Sequence, residues 1–376
     1  MKTGWQTKTL GEICEILDSR RLPIAKKDRI SGPYPYYGAS GIVDNVASYL
    51  FDERLLLLGE DGAKWGAGEN SAFIIDGKAW VNNHAHILRV SANILDVWLM
   101  HYLNWNDLSP YISGVTVPKL TQKRMLAIPI PLPPLPEQKR IVGILDAAFE
   151  KIDTVQHNAE RNLANAKELL QRVLDEEMTP KDGWGRASLK EIGMTITGQT
   201  PPTKDSLNFG KDIPFIKPAD IIPFEAINYQ NEGLSFQGAT KSRLVRKDSV
   251  LMVCIGSIGK VGYATKDVTC NQQINAVIPQ SLYCSKFVYY ALSSSNFQML
   301  VKKNDAQATL PIISKSKWEA LPIDFPMEIK KQESIVCKLD NLLEYCNLCS
   351  RNYSNILKEC TELKQQVLTQ AFNGKL

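Results

Sequence analysis

Histidine is scarce in this chain, with 4 among 376 residues. Only His84 and His86 lie close together, and they have no cysteine or carboxylate beside them in sequence to complete a metal site. No apolar run reaches the roughly 18 residues that a membrane-spanning helix needs. The opening MKTGWQTKTL has no apolar stretch of the kind a secretory signal carries, so a cytoplasmic location is expected. Nucleotide-binding fingerprints are missing too. GEDGAKWGAG (59–68) lacks the G-x-G-x-x-G spacing, and GSIGKVG (256–262) lacks the length and the Ser/Thr of a Walker loop. Both read better as turns that end strands, with Lys64 and Lys260 as phosphate contacts. An amino-methyltransferase needs Asn or Asp before a Pro-Pro pair and an aromatic after it. The pairs here, Pro133-Pro134 and Pro201-Pro202, sit in LPPLP and TPPT. With no nuclease or nucleophile constellation either, the chain reads as non-catalytic.

What the sequence has in abundance is itself. A segment from Pro134 to Met178 returns at about Met327 to Phe372, offset by 194 residues, so that Gln332 falls on Gln138, Leu339 on Leu145 and Asp340 on Asp146. In the first copy Ile141, Leu145, Ala148, Ile152, Val155, Ala159, Asn162, Ala166, Leu169 and Val173 step alternately by four and three. The second copy places Ile335, Leu339, Leu342, Cys346, Cys349, Tyr353, Ile356, Cys360, Leu363 and Val367 at the same positions. That is a heptad seam, with charged and amide residues between. Each copy follows proline-rich punctuation, which suits a helix start. A helix of this length runs about 60 Å, and one that long with a single apolar stripe needs a partner. The matching helix of the same chain is the expected one, and spacing alone leaves parallel and antiparallel pairing open.

The seam also settles how to read Cys346 and Cys349. They form a C-x-x-C, but they hold the places of Ile152 and Val155, and no second cysteine pair completes a zinc site. Small apolar packing residues are the better description.

The segments before each helix repeat as well. Gly4-Trp5 matches Gly183-Trp184, LLLLGEDG (55–62) resembles LMVCIGSIG (251–259), and Asn82–His86 corresponds to Asn271–Asn275. Short β-branched and aromatic runs broken by Gly, Pro, Asn and Asp predict mixed α/β globules. The resulting plan is 1–133 globule, 134–178 helix, 179–326 globule and 327–376 helix. Lys and Arg outnumber Asp and Glu by 17 to 12 in the second globule but only 14 to 13 in the first, which allows a polyanionic partner.

YPYYGASGIVDNV (34–46), TVPKLTQKRMLAIPIPLPPLPEQKRIV (116–142), Gly198-Gln199-Thr200-Pro201-Pro202 and IPFIKPADI (213–221) together resemble the specificity subunits of type I restriction-modification systems. The resemblance runs the length of the chain. It implies an α+β fold with a pseudo-two-fold internal repeat, in which two target-recognition globules are joined by an antiparallel intramolecular coiled coil. It also implies double-stranded DNA as ligand, read as a split asymmetric site. The implied partners are two methyltransferase subunits, with restriction or motor subunits joining them and no membrane. The chain itself would carry no cofactor, S-adenosylmethionine, ATP and Mg belonging to those partners. A coiled-coil protein scaffold without nucleic acid is the alternative.

Within that resemblance the candidate DNA contacts of the first globule are Arg20, Arg21, Lys26, Lys27, Arg29, Lys64, Lys119 and Lys123. Those of the second are Lys204, Lys217, Lys241, Arg243, Arg246, Lys247 and Lys260, with Gln272, Gln273, Asn275, Asn304 and Gln307 as readers of base edges.

Overall fold

The computed structural model describes residues 4–114, 116–305 and 310–376. Both predicted helices form without interruption, as Leu135–Glu177 and Ile329–Phe372. The chain separates into two compact units, one of residues up to Glu160 together with Asn355–Leu376, the other Arg161–Ser354. Each unit therefore holds one globule and a stretch of both long helices. In the first unit Arg140 donates to the Leu376 carbonyl at 2.8 Å and Lys364 pairs with Asp153. In the second, Lys338 pairs with Glu177. Partner numbers fall as those of the first helix rise, so the two helices run antiparallel. Among the described residues no helix is long and apolar enough to cross a membrane.

The buried stripe differs from the expected heptad. Ile141, Leu145 and Ile152 are buried, but Val155 is 48% exposed and Leu363 is 47% exposed. Leu169, Val173, Ile335, Leu342, Cys349, Ile356 and Val367 are half-buried, while Ala159, Leu339, Cys346 and Cys360 are buried. An eleven-residue series of covered or half-covered places also runs through Ile141, Ile152, Leu163 and Leu174 in one helix and Cys346, Leu357 and Leu368 in the other. A straight α-helix drifts about 20° per heptad, and an eleven-residue spacing (3.67 per turn) follows it more closely. The seven-residue seam stays covered or half-covered through Ala159 and Cys360, and among its places Val155 and Leu363 turn outward.

The globules share one topology. In the first, Cys14–Ile16, Ala85–Val90, Leu55–Gly59 and Ala72–Ile75 form a four-stranded antiparallel sheet in that order. In the second, Gly193–Thr197, Ile274–Pro279, Val250–Val253 and Val261–Tyr263 do the same. A second four-stranded sheet accompanies each, with one parallel pairing inside it. That pairing is Tyr36 to Trp80 and Tyr37 to Val81 in the first unit, and Phe215 to Thr269 and Ile216 to Cys270 in the second. The inner strands Leu55–Gly59 and Val250–Val253 are covered at every residue, which is why their sequences are unbroken apolar runs.

Packing repeats with the topology. Trp98, fully buried on the helix Asp96–Trp105, meets Trp5 edge-on at 5.6 Å and Phe372 of the second long helix at 4.8 Å. Phe287, on Ser285–Ser293, meets Trp184 in the same edge-on manner at 6.0 Å. A capping box closes the first turn of each globule, Thr9 with Glu12 and Ser188 with Glu191. The first core meets the long helices through Phe372 among others, and the second through Leu174, Val336 and Leu339.

Candidate nucleic-acid interface

One end of the first sheet in each unit gathers the polar loops. In the first unit these are the segments around Asp18–Arg21, Glu60–Lys64, Asn82–His86 and Lys119–Lys123. The Glu60 amide donates to the His84 carbonyl at 2.8 Å, and the Leu120 amide to the Glu60 carbonyl at 2.8 Å. In the second unit the corresponding bonds run from the Cys254 amide to the Gln273 carbonyl at 2.7 Å, and from the Ile313 amide to the Cys254 carbonyl at 2.9 Å. The loop after Thr197 closes on this end as well. Gly198 packs so tightly that a Cβ would lie 2.2 Å from the Asn271 carbonyl oxygen, which leaves no room for a larger residue.

Beneath these loops sits a three-residue linkage in each unit. His86 has no exposed surface. Its Nδ1 lies 2.5 Å from Asp18 and its Nε2 donates to the Leu120 carbonyl at 2.7 Å. Glu60 lies 3.8 Å from the same ring and also pairs with Arg21 and Lys119. Burial works to raise the carboxyls of Asp18 and Glu60. The hydrogen bond and charge of His86 outweigh it at Asp18, as do Lys119 and Arg21 at Glu60, so both sit below the ordinary carboxylate range. Asp18, Glu60 and His86 are close enough to hold a metal ion, but their polar atoms already meet Arg21, Lys119 and the Leu120 carbonyl. In the second unit Thr197 donates to Asn275 at 2.8 Å, and Asn275 donates to the Cys254 sulfur at 3.3 Å. Thr197, Asn275 and Cys254 hold the strand positions that Asp18, His86 and Glu60 hold in the first unit.

The candidate contacts divide accordingly. Arg21 and Lys119 are engaged in the buried linkage, Arg21 also donating to the Ala85 carbonyl at 2.9 Å. Arg29 is held by Asp44 at 3.0 Å and lies 4.4 Å from the Tyr36 ring, and Arg20 stacks over Phe51 at 4.7 Å. Asn275 is 3% exposed and cannot reach a base edge, which corrects its assignment as a reader. A buried amide satisfies its hydrogen bonds inside the fold. Gln273 is half-buried and accepts from Asn271 at 2.8 Å, and Asn304 turns back to the Leu300 carbonyl at the end of its helix. Lys217 pairs with Glu232, Lys260 donates to the Pro218 carbonyl at 3.3 Å and Lys247 lies 3.9 Å from Asp248.

The structure brings Lys241, Arg243 and Gln272 together around one loop. Lys241 bonds Asp205 and Asn208, Arg243 donates to the Thr197 carbonyl at 2.9 Å, and Thr200 donates to Gln272 at 2.8 Å. Lys26, Lys27, Lys64, Lys123, Lys204 and Arg246 are exposed. Gln307 lies outside the described residues. Asp18, Glu60, Thr197 and Cys254 escaped sequence reasoning, because their partners are dozens of residues away. The pairing of Asn82–His86 with Asn271–Asn275 already placed His86 opposite Asn275.

The chain is similar to proteins that share this plan. It is 37% identical over 140 residues to a putative type I restriction enzyme specificity subunit of Haemophilus influenzae. It is 20% identical to the EcoDI specificity subunit of Escherichia coli, in an alignment covering all of this chain and 89% of that one. Alignments with the first three relatives span 36%, 42% and 39% of their own lengths. Among solved structures, a chain from work on complex assembly and conformational transition of the type I R-M system superimposes with a TM-score of 0.74. That match has 19% identity and covers 100% of this chain and 99% of that one. The HsdS subunit of Thermoanaerobacter tengcongensis gives 0.55 at 18% identity, covering 100% and 98%. These two likenesses concern the fold. Residues 2–162 and 181–359 each match the model of the type I restriction modification DNA specificity domain, and the chain belongs to that family.

Proposed function

We propose that this chain is the DNA sequence-recognition subunit of a type I restriction-modification complex, with no chemistry of its own. One observation carries the reading: a single frame is built twice, and its two polar ends are chemically unlike. An asymmetric, split DNA site calls for two different readers, whereas two identical readers would call for a palindrome. In this reading each globule addresses one half-site in the duplex, and the antiparallel helices serve as the spacer. Two methyltransferase subunits dock on the frame and bring S-adenosylmethionine. Restriction subunits that join them bring ATP and Mg.

Exposed Lys26, Lys27, Lys64, Lys123, Lys204 and Arg246 are suited to phosphate, and Gln272 is the exposed amide best suited to a base edge. The test is duplex binding by the complex assembled with its cognate methyltransferase subunit, titrated against salt. A complex making 6–10 phosphate contacts loses about 10³-fold or more in affinity between 50 and 200 mM salt. Duplex binding absent at low salt would favour the protein-scaffold alternative.

A further inference from the structure

The two buried linkages hold the polar loops of each unit from below. We infer that Asp18–His86–Glu60 and Thr197–Asn275–Cys254 are positioning devices, each setting the recognition loops of its own globule without touching DNA. The inference rests on the DNA-recognition reading above.

In the first unit the linkage joins three separate stretches. Asp18 begins the loop that carries Arg20 and Arg21, Glu60 begins the turn that carries Lys64, and His86 follows the turn at Asn83 and His84. The Nε2 of His86 extends the linkage to a fourth stretch through the Leu120 carbonyl, beside Lys119 and Lys123. In the second unit Thr197 begins the loop that carries Thr200 and Lys204, Cys254 begins the turn at Gly256, and Asn275 follows Gln272 and Gln273. The positions are the same, but one linkage is ionic and the other neutral. A group that only filled space would not need a hydrogen bond to Asp18 and a charged neighbour in Glu60 in one unit, and hydrogen bonds to Thr197 and Cys254 at the same places in the other. Loop ends held this way fix where exposed side chains stand, and displacements of about 1 Å are enough to spoil a bidentate base contact.

Methylome sequencing of the assembled complex, read separately for each half of its motif, provides the test. His86→Ala is expected to reduce discrimination against single mismatches about tenfold in one half of the motif, leaving the other half within about twofold. Asn275→Ala is expected to do the same in the opposite half. The double change Asp18→Thr with His86→Asn, which installs the second unit's pairing in the first, should restore most of the lost discrimination. Should the alanine variants fail to assemble, Asp18→Asn and Thr197→Ser make the same comparison with smaller relaxation in the same halves. Equal loss of methylation in both halves, with base preferences unchanged, overturns the inference while leaving the recognition reading intact. A wild-type complex that methylates no split motif overturns the recognition reading and the inference with it.

Discussion

Gln138 and Gln332 make the same two hydrogen bonds at equivalent places in the two halves of the chain. Gln138 accepts from the Leu95 amide at 2.9 Å and donates to the Pro133 carbonyl at 2.9 Å. Gln332 accepts from the Cys284 amide at 2.8 Å and donates to the Pro326 carbonyl at 2.9 Å. Leu95 and Cys284 precede the first turn of the helix on which each aromatic core is built. Each glutamine therefore locks a long helix to its globule, and neither side chain meets water, at 2% and 0% exposure.

Gln138→Ala and Gln332→Ala should cost similar amounts, because each leaves an amide and a carbonyl buried without a partner. The expected loss is about 2–4 kcal/mol per variant, read from urea unfolding followed by far-UV circular dichroism. Losses under about 0.5 kcal/mol for both would mean that the two bonds do not hold the junction.

Register along the helices makes a second test. Val155→Lys and Leu363→Glu fall on exposed positions and should alter stability by no more than about 0.5 kcal/mol. Ile152→Lys and Leu368→Glu, only a few residues away, place a charge in a covered stripe and should cost several kcal/mol. Equal damage from all four would restore the strict heptad.

Acid sensitivity follows from the linkage in the first unit. Asp18 and Glu60 have lower carboxyl pKa values folded than unfolded. Their stabilising contribution is therefore complete above the unfolded values of about 4 and is lost as pH falls through the folded ones. The melting temperature should drop steeply below about pH 4. Glu60→Gln should melt lower at pH 7 and show a shallower fall in acid, because Arg21 and Lys119 have already lost their charged partner. Calorimetry across pH 3–7 would show an unchanged slope if the linkage contributes nothing.

Thiol chemistry separates the cysteines. Burial pushes Cys14, Cys254 and Cys270 up to about 12, so little of each is thiolate at pH 8. Cys337 is exposed. A short iodoacetamide pulse on folded protein, mapped by mass spectrometry, should label Cys337 and leave those three unmodified until denaturant is added. Rapid native labelling of Cys254 would contradict its place in the core.

Much of this was legible in the sequence, for definable reasons. The 194-residue repeat, the proline-marked helix starts and the core character of Cys346 all come from local pattern, which sequence displays directly. Helix direction came only with the family resemblance, since a heptad seam looks alike parallel or antiparallel. It was set by tertiary pairs such as Lys364 with Asp153. Val155 and Leu363 depart from the expected seam because the straight helix drifts from a seven-residue period, while Ala159 and Cys360 keep it. Site residues were the least legible. Arg21 and Asn275 have the chemistry of DNA contacts, yet partners distant in sequence bury Asn275 and hold Arg21 half-buried. Whether a basic or amide side chain faces outward depends on such partners, and composition does not reveal them.

The central claim is that two unlike readers in one chain specify one asymmetric site. Its most direct measurement is methylome sequencing of cells expressing this chain with its cognate methyltransferase subunit and no other modification system. The account predicts a single non-palindromic motif of two specified blocks, separated by an unspecified gap of constant length. A palindromic motif, an uninterrupted one or no motif at all would contradict it.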